Sequence, residues 1–392
     1  METVEEGSAV DWTRLPANVL RFVSGRLADP QDFVRFRAAC PAWRLAVPED
    51  GHWRFFHPWI VESSDPDDDS GNVLFYSPAS GEYHVIHVAA LEGKRVAGHG
   101  AGLLLGIDTA DELSAVLVNP LTGESTAAPR LPERFRGAPV YGFAATDDPA
   151  GEGEVVAVVY NRPAGGQARG CVALWRRRRD AGAGWATVPA QTFWMRMPQL
   201  RARLVAHGPQ VVEAEEAAIA AVNGHAHGHV EWFPGMRGAH VVEHGGQARV
   251  LVRMELEQPP AIAAAGGVPV KPGDTLPGVS FELRNTVDPE GDAVDWASAP
   301  ELHGKVILQS EDSICHVLPA SVGLSSNSVY FLSWQRQEVV VDEDGGVGDG
   351  EPFGYFLCKW DAIKGVATVV EKVPGAWDRQ KPGRWFLPTF KY

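Results

Sequence analysis

Two stretches of this chain read alike: Val73-Leu74-Phe75-Tyr76-Ser77-Pro78-Ala79-Ser80-Gly81-Glu82 and Ala115-Val116-Leu117-Val118-Asn119-Pro120-Leu121-Thr122-Gly123-Glu124. Each is a short apolar strand followed by a Pro…Gly-Glu turn, and Asn119 stands 42 residues after Ser77. Units of four strands arranged as propeller blades repeat at roughly 40–50 residues. A weaker echo pairs two hairpins, Val172–Trp175 with Trp185–Val188 and Phe356–Trp360 with Val366–Val369.

The same rhythm runs through most of the chain. From about residue 53 onward, apolar runs recur, each closed by turn residues. They include Tyr83–His87, Leu103–Ile107, Val155–Tyr160, Val250–Met254, Val306–Leu308, Val329–Leu332 and Tyr355–Trp360. Val211–Val222 also reads as a strand, because it ends in Asn223-Gly224, a strong hairpin signal. The ~340 residues of this region leave room for about six or seven blades once loops are allowed for. Another all-β fold, such as a β-sandwich, is the alternative. Gln258–Gly278 and Asp342–Gly350, rich in Gly with Pro or Asp, read as surface loops.

Residues 11–48 follow a different period. Pro16 suits the start of a helix, and Val19, Leu20, Val23 and Leu27 form one helical stripe. Gly25 and Asp29-Pro30 end it. Asp29 then caps a second helix with Pro30 at its first position, and Asp32 three residues on resembles a capping box. Pro41 opens a short third helix carrying Trp43, Arg44 and Val47. The expected fold is therefore α+β and multidomain. A small three-helix unit over 9–50 precedes an all-β propeller over 53–390, the expected target-binding domain.

Composition sets outer bounds. The 392 residues are 45% hydrophobic and 22% charged, ordinary for a globular chain. Lys and Arg number 35 against 50 Asp and Glu, a net charge of −15, which disfavours general nucleic-acid binding. No apolar run is long enough for a membrane span, and the acidic start Met1–Glu6 does not read as a signal peptide. Cys40, Cys171, Cys315 and Cys358 are far apart, which fits a reducing compartment, cytoplasm or nucleus.

The helical segment resembles an F-box. The resemblance rests on Leu15-Pro16 followed by Val19-Leu20, on Leu27, Phe33 and Phe36, and on Cys40-Pro41-Ala42-Trp43-Arg44. The rest is similar to the β-propeller that follows the F-box in a large plant family abundant in grasses. The pieces are Asn119–Gly123, Lys305–Leu332 and Trp385–Pro388. Pro41 departs from the basic or small residue usual after the cysteine. The resemblance implies that Leu15, Pro16, Val19, Leu20, Val23, Leu27, Cys40 and Trp43 make or support contact with a Skp-type adaptor, and through it with a cullin. The chain would be the substrate-recognition subunit of an SCF-type (Skp–cullin–F-box) ubiquitin ligase, non-catalytic and without cofactor, with the propeller holding an unknown target. The alternative is a propeller protein-binding module whose F-box is degenerate and recruits no ligase. The residues themselves point to a partner as well, since three short helices carry more apolar surface than they can hide from each other.

Other chemistry is weakly signalled. His225, His227 and His229 share one face if extended, but neighbours on a flat strand stand about 7 Å apart, wide for one metal ion. A metal-dependent propeller enzyme built on them is a third reading. Arg176–Arg179 reads as a hairpin tip, and Asp65–Asp69 and Asp342–Asp349 as solvated loops. Gly98-His99-Gly100-Ala101-Gly102 does not fit a nucleotide fingerprint, because Leu103 takes the place of the last glycine. Trp232, Arg237, His240, Trp296 and Trp334 could serve a target interface or blade packing equally.

Overall fold

A computed structural model describes residues 11–27, 29–47, 56–62, 70–100, 102–136, 140–147, 155–161, 171–176, 184–189, 236–244, 247–255, 269–285, 302–310, 315–319, 324–336, 353–374 and 383–388. Three helices come first: α1 (Ala17–Ser24), α2 (Pro30–Ala38) and α3 (Pro41–Ala46). Proline opens α2 and α3, where its missing N–H is no loss, and the Asp29 side chain caps α2 by accepting from the Gln31 N–H at 2.8 Å. The reciprocal bond of a capping box does not form. Asp32 pairs with Arg35 on its own helix instead, its side chain being one methylene shorter than the usual glutamate.

The remaining elements are strands. The first sheet takes β1 (Trp59–Val61), β2 (Asn72–Ser77) and β3 (Glu82–His87), plus β20 (Arg384–Phe386) from the far end of the chain, in the order β20-β1-β2-β3. The second is β4 (Lys94–Gly100), β5 (Leu103–Asp108), β6 (Ala115–Val118) and β7 (Ser125–Ala128), in chain order. The third runs β8 (Val140–Asp147), β9 (Val155–Asn161), β10 (Cys171–Arg176) and β11 (Ala186–Pro189). The fourth contains β12 (Met236–His244), β13 (Gln247–Glu255) and β14 (Val279–Asn285). The fifth joins β15 (Lys305–Gln309), β16 (His316–Pro319), β17 (Ser328–Arg336), β18 (Phe353–Asp361) and β19 (Val366–Lys372) in the order β16-β15-β17-β18-β19. Five sheets are thus present among the described residues. The expected Val211–Val222 strand lies outside them. One departure from an all-antiparallel meander is that β15 and β17 run parallel, with β16 folded back on the other side of β15.

The sheets are layered as in a propeller. One apolar cluster joins the first sheet (Phe75, Phe386) to the second (Leu104, Val118), and a second joins the second sheet (Leu105, Leu117) to the third (Trp175, Trp185). A third joins the fourth sheet (Leu251, Phe281) to the fifth (Phe331, Phe356). The fifth sheet (Tyr330, Leu357) then packs on the first (Ile60, Trp385), so the end of the chain returns to its beginning. Polar ties accompany the packing. The Arg253 guanidinium of β13 lies 4.7 Å from the Phe331 ring and donates to the Leu332 carbonyl at 3.4 Å. The Tyr76 hydroxyl of the first sheet hydrogen-bonds the Glu371 carboxylate of the fifth.

The repeated turns occupy equivalent places. β2 and β6 are each third in their sheet, and each leads into a turn closed by a glycine with positive φ. The Gly81 N–H donates to the Ser77 carbonyl at 2.8 Å and the Gly123 N–H to the Asn119 carbonyl at 2.9 Å. A third copy, without proline, links β18 to β19, where Gly365 N–H donates to the Asp361 carbonyl at 2.8 Å. The expected hairpins β10–β11 and β18–β19 are both formed.

Gly123 has φ +75 with open space where a side chain would begin, so an added Cβ meets strain rather than a clash. Gly123→Ala is expected to cost about 1–2 kcal/mol in urea denaturation, and Gly123→Asn less. Burial holds the Glu371 carboxyl above its ordinary range. Its favourable contribution is therefore present below the unfolded value and lost as pH rises through the folded one. Glu371→Gln keeps an acceptor for Tyr76 without the charge. It should be more stable than the parent at pH 7, the gap closing toward pH 4 in paired urea titrations.

Candidate functional site

The helices form a unit with its own small core. Leu20, Phe33, Val47 and Phe56 are buried together, with Leu15, Leu27, Phe36, Trp43 and Ala46 packed around them. Phe56, on the strand side of the expected boundary, belongs to this core and meets Phe33 at 5.6 Å between ring centres. Trp43 lies against Phe36 at 4.6 Å and donates its indole N–H to the Trp12 carbonyl at 3.0 Å. Two arginines fasten the end of α3: Arg21 donates to the Ala46 carbonyl at 3.2 Å and Arg37 to the Val47 carbonyl at 3.1 Å.

Helix α1 is apolar on both sides. Leu20 and Ser24 face the core. Val19, Phe22 and Val23, at i, i+3 and i+4, form a stripe facing away from it, with Phe22 61% exposed. Trp12 at 63% and Leu45 at 81% exposure add to the uncovered apolar surface of this unit. The eight residues singled out from the sequence thus divide. Pro16, Val19 and Val23 lie on the surface; Leu15, Leu27, Cys40 and Trp43 are half-buried; Leu20 is inside. Phe22 and Leu45 were not anticipated. Phe22 falls one turn beyond Val19 on the outward stripe, so helical spacing alone could have found it.

The unit is tied to the first sheet through Asp29. While one carboxylate oxygen caps α2, the other accepts from the Trp59 indole N–H at 3.3 Å and the Ser77 hydroxyl at 3.2 Å. His84 Nε2 stands 3.6 Å from that oxygen, within ion-pair range though beyond a hydrogen bond, and its ring stacks on Trp59 at 4.8 Å. His57 lies beside the junction. Burial lowers its pKa, and the Asp29 charge partly opposes this. Ser77 occupies the turn position held by Asn119 and Asp361. Those two point a side-chain oxygen at the N–H groups of their own turns, whereas Ser77 reaches Asp29.

The other sequence candidates are placed as follows. Trp334 packs edge-on against Tyr355 at 4.9 Å and parallel to Phe353, which makes it a blade-packing residue. Arg237 and His240 lie on β12. Trp232, Trp296, His225, His227, His229, Arg177–Arg179, Asp65–Asp69 and Asp342–Asp349 lie outside the described residues. Among the described residues no three His, Cys, Asp or Glu stand together as a metal site would require. Burial raises the Cys358 thiol to about 12 and pushes Cys315 higher still, so both are packing groups at neutral pH. Among the described residues, no helix is long and apolar enough to cross a membrane.

Layered sheets, equivalent turns and closure by the last strand define a β-propeller carrying an N-terminal helical unit. Residues 75–356, well over half of the chain, match the KIB1-4 beta-propeller family, and the chain belongs to it. No curated protein matches this chain. Among solved structures, a mutant of the Synechocystis apocarotenoid oxygenase is similar at 10% identity, over 88% of this chain and 77% of that one. Its TM-score of 0.23 is too low to bear on fold or function.

Asp29 joins a helix cap to two buried donors. Asp29→Ala is expected to cost about 2–4 kcal/mol, the loss of the cap plus an orphaned Trp59 indole and Ser77 hydroxyl. Limited proteolysis should then cut between the helices and β1 faster than in the parent. Asp29→Asn, which keeps oxygen and shape, should show a smaller effect in both measurements.

Proposed function

We propose that this chain is the target-recognition subunit of an SCF-type ubiquitin ligase. Its helical unit docks on a Skp-type adaptor, and through that on a cullin, while the propeller holds the target protein. The observation that carries the reading is the outward stripe Val19, Phe22 and Val23, with Trp12 and Leu45 nearby, on a unit whose core is already filled by other residues. Apolar side chains left in water on so small a unit mark a partner surface. The spacing at i, i+3 and i+4 suits a helix laid against an apolar groove. The resemblance of Leu15-Pro16, Val19-Leu20 and Cys40–Arg44 to an F-box supplies the identity of that partner.

On this reading no residue of the chain makes or breaks a bond. Adaptor and target are held by one molecule, so the target's lysines experience a high effective concentration of the ubiquitin-loaded conjugating enzyme. The complex would act in cytoplasm or nucleus, with no nucleic acid or membrane involved. The target sits on loops at the rim of the propeller, where a rigid scaffold presents them.

Co-expression of the full chain with a plant Skp-type adaptor tests this. The expected result is co-purification at one to one. Val19→Asp/Val23→Asp should abolish it, since buried unpaired charge costs about 3–5 kcal/mol. Both positions are partly exposed, so the variant's own melting temperature should hardly move. Leu20→Asp, by contrast, should lose binding by unfolding the helices. Well-folded parent protein that ignores the adaptor would overturn the ligase reading and leave a propeller binding module.

A further inference from the structure

The edge strands of neighbouring sheets bring basic side chains together, and two of them, His99 and Arg384, carry a buried nitrogen with no hydrogen-bond partner. β4 lies against β8 and β12 against β16, so the edge strands of neighbouring sheets stand side by side. β20 joins them: its Phe386 ring meets His99 of β4 edge-on at 6.1 Å, and its Trp385 N–H donates to the Ser310 hydroxyl after β15 at 3.0 Å. Arg384 stands two residues before Phe386 and therefore shares its face of the strand, the face turned toward His99. His316 lies on β16, the edge strand of the next sheet.

The partners of these groups are what single them out. His99 is 5% exposed, and its Nε2 is buried with no hydrogen-bond partner. Arg384 is half-buried, its Nε is buried and unpartnered, and no carboxylate among the described residues pairs with it. The chain carries 50 carboxylates, so leaving this half-buried arginine unpaired is not for want of acids. Arg253, which is buried, shows the contrast. It has Glu255, Ser333, Gln309, the Leu332 carbonyl and the Phe331 ring around its guanidinium. A cation whose Nε is buried without a partner or an acidic neighbour costs stability unless something compensates it. Burial holds the His99 imidazole well below its ordinary range, and the charges of Arg384 and His316 lower it further, so it stays neutral and can present one N–H.

We propose that Arg384, His99 and His316 form an oxyanion-binding site at the axis of the propeller, taking a small phosphate-like or carboxylate anion. Arg384 supplies the charge and a planar fork of donors. His99 supplies a fixed, desolvated N–H from the neighbouring sheet, and His316 completes the basic wall. The assignment stands apart from adaptor docking, since the helical unit contributes no residue to it.

The test is calorimetry and phosphorus NMR on the full chain, with inorganic phosphate in one arm and acetate in the other, against chloride at equal ionic strength. Saturable binding of phosphate or acetate at about 1 mM or tighter is expected, with a matching rise in melting temperature. Tighter binding of phosphate assigns a phosphate-class anion, and tighter binding of acetate a carboxylate. Arg384→Gln should weaken the preferred anion at least about tenfold while melting no lower than the parent in chloride. His99→Gln is the second variant, and Arg253→Gln, which should destabilise without altering anion affinity among folded molecules, is the control. Absence of saturable binding of either anion by the parent protein would overturn the proposal. So would undiminished binding by folded Arg384→Gln.

Discussion

The pairing of β1 with β20 is the constraint on which the other arrangements rest. Three residues from each end of the ring align, Trp59 with Phe386, Ile60 with Trp385 and Val61 with Arg384. Two such short strands have almost no stability alone, because closing so large a loop costs entropy that a few ladder bonds do not repay. Side-chain burial makes up the difference. Trp59, Ile60, Trp385 and Phe386 are all essentially inaccessible to water. Trp385 faces the fifth sheet and Phe386 the second, so one short strand anchors both neighbours of the first sheet. The pairing also fixes two polar placements. It buries Trp59 so that its indole points at Asp29, and it holds Arg384 on the edge strand of the first sheet.

The turn at Ser77 shows how a repeat is bent to another use. Asn119 and Asp361 use their side chains to hold their own turns, and Gly123 and Gly365 supply the left-handed residue that closes them. Gly81 keeps the same backbone. The serine hydroxyl holds such a turn more weakly than an Asn or Asp oxygen does, and here it donates outward to Asp29 instead. The repeat thus retains its shape where it meets the helical unit, while the polar group is reassigned.

Much of this architecture was legible in the sequence wherever the signal was local. Helix starts were announced by Pro30, Pro41 and the Asp29 cap, and hairpins by apolar runs ending in turn residues. The third turn, Asp361–Gly365, escaped because it lacks the proline that makes the other two look alike; the hydrogen bonds depend on the first and last residues only. Closure was not legible. Trp59–Val61 and Arg384–Phe386 are too short to show any period, and their pairing is a property of the whole ring. The same holds for His99, which reads as part of a glycine-rich run and gains its meaning only from Phe386 and Arg384. Within the helices, periodicity gathered Leu20 with Val19 and Val23 into one stripe, although α1 turns Leu20 inward and the other two outward. A helix this short with apolar residues on both sides cannot be resolved into faces without knowing where its neighbours lie.

How the helices are joined to the propeller matters physically. A flexible linker would let the two parts sample many orientations and dilute any advantage of holding two partners at once. Asp29 works against that freedom. It is the cap of α2, so moving the carboxylate frays the helix, and it is an acceptor for Trp59, so moving the helix orphans a buried indole. Phe56 reinforces the tie, since the chain leading into β1 is part of the helical core. The outward stripe on α1 is therefore held at a defined angle to the ring. Val19, Phe22 and Val23 thus keep a defined orientation to the propeller, the geometric requirement that the proposed adaptor role places on them.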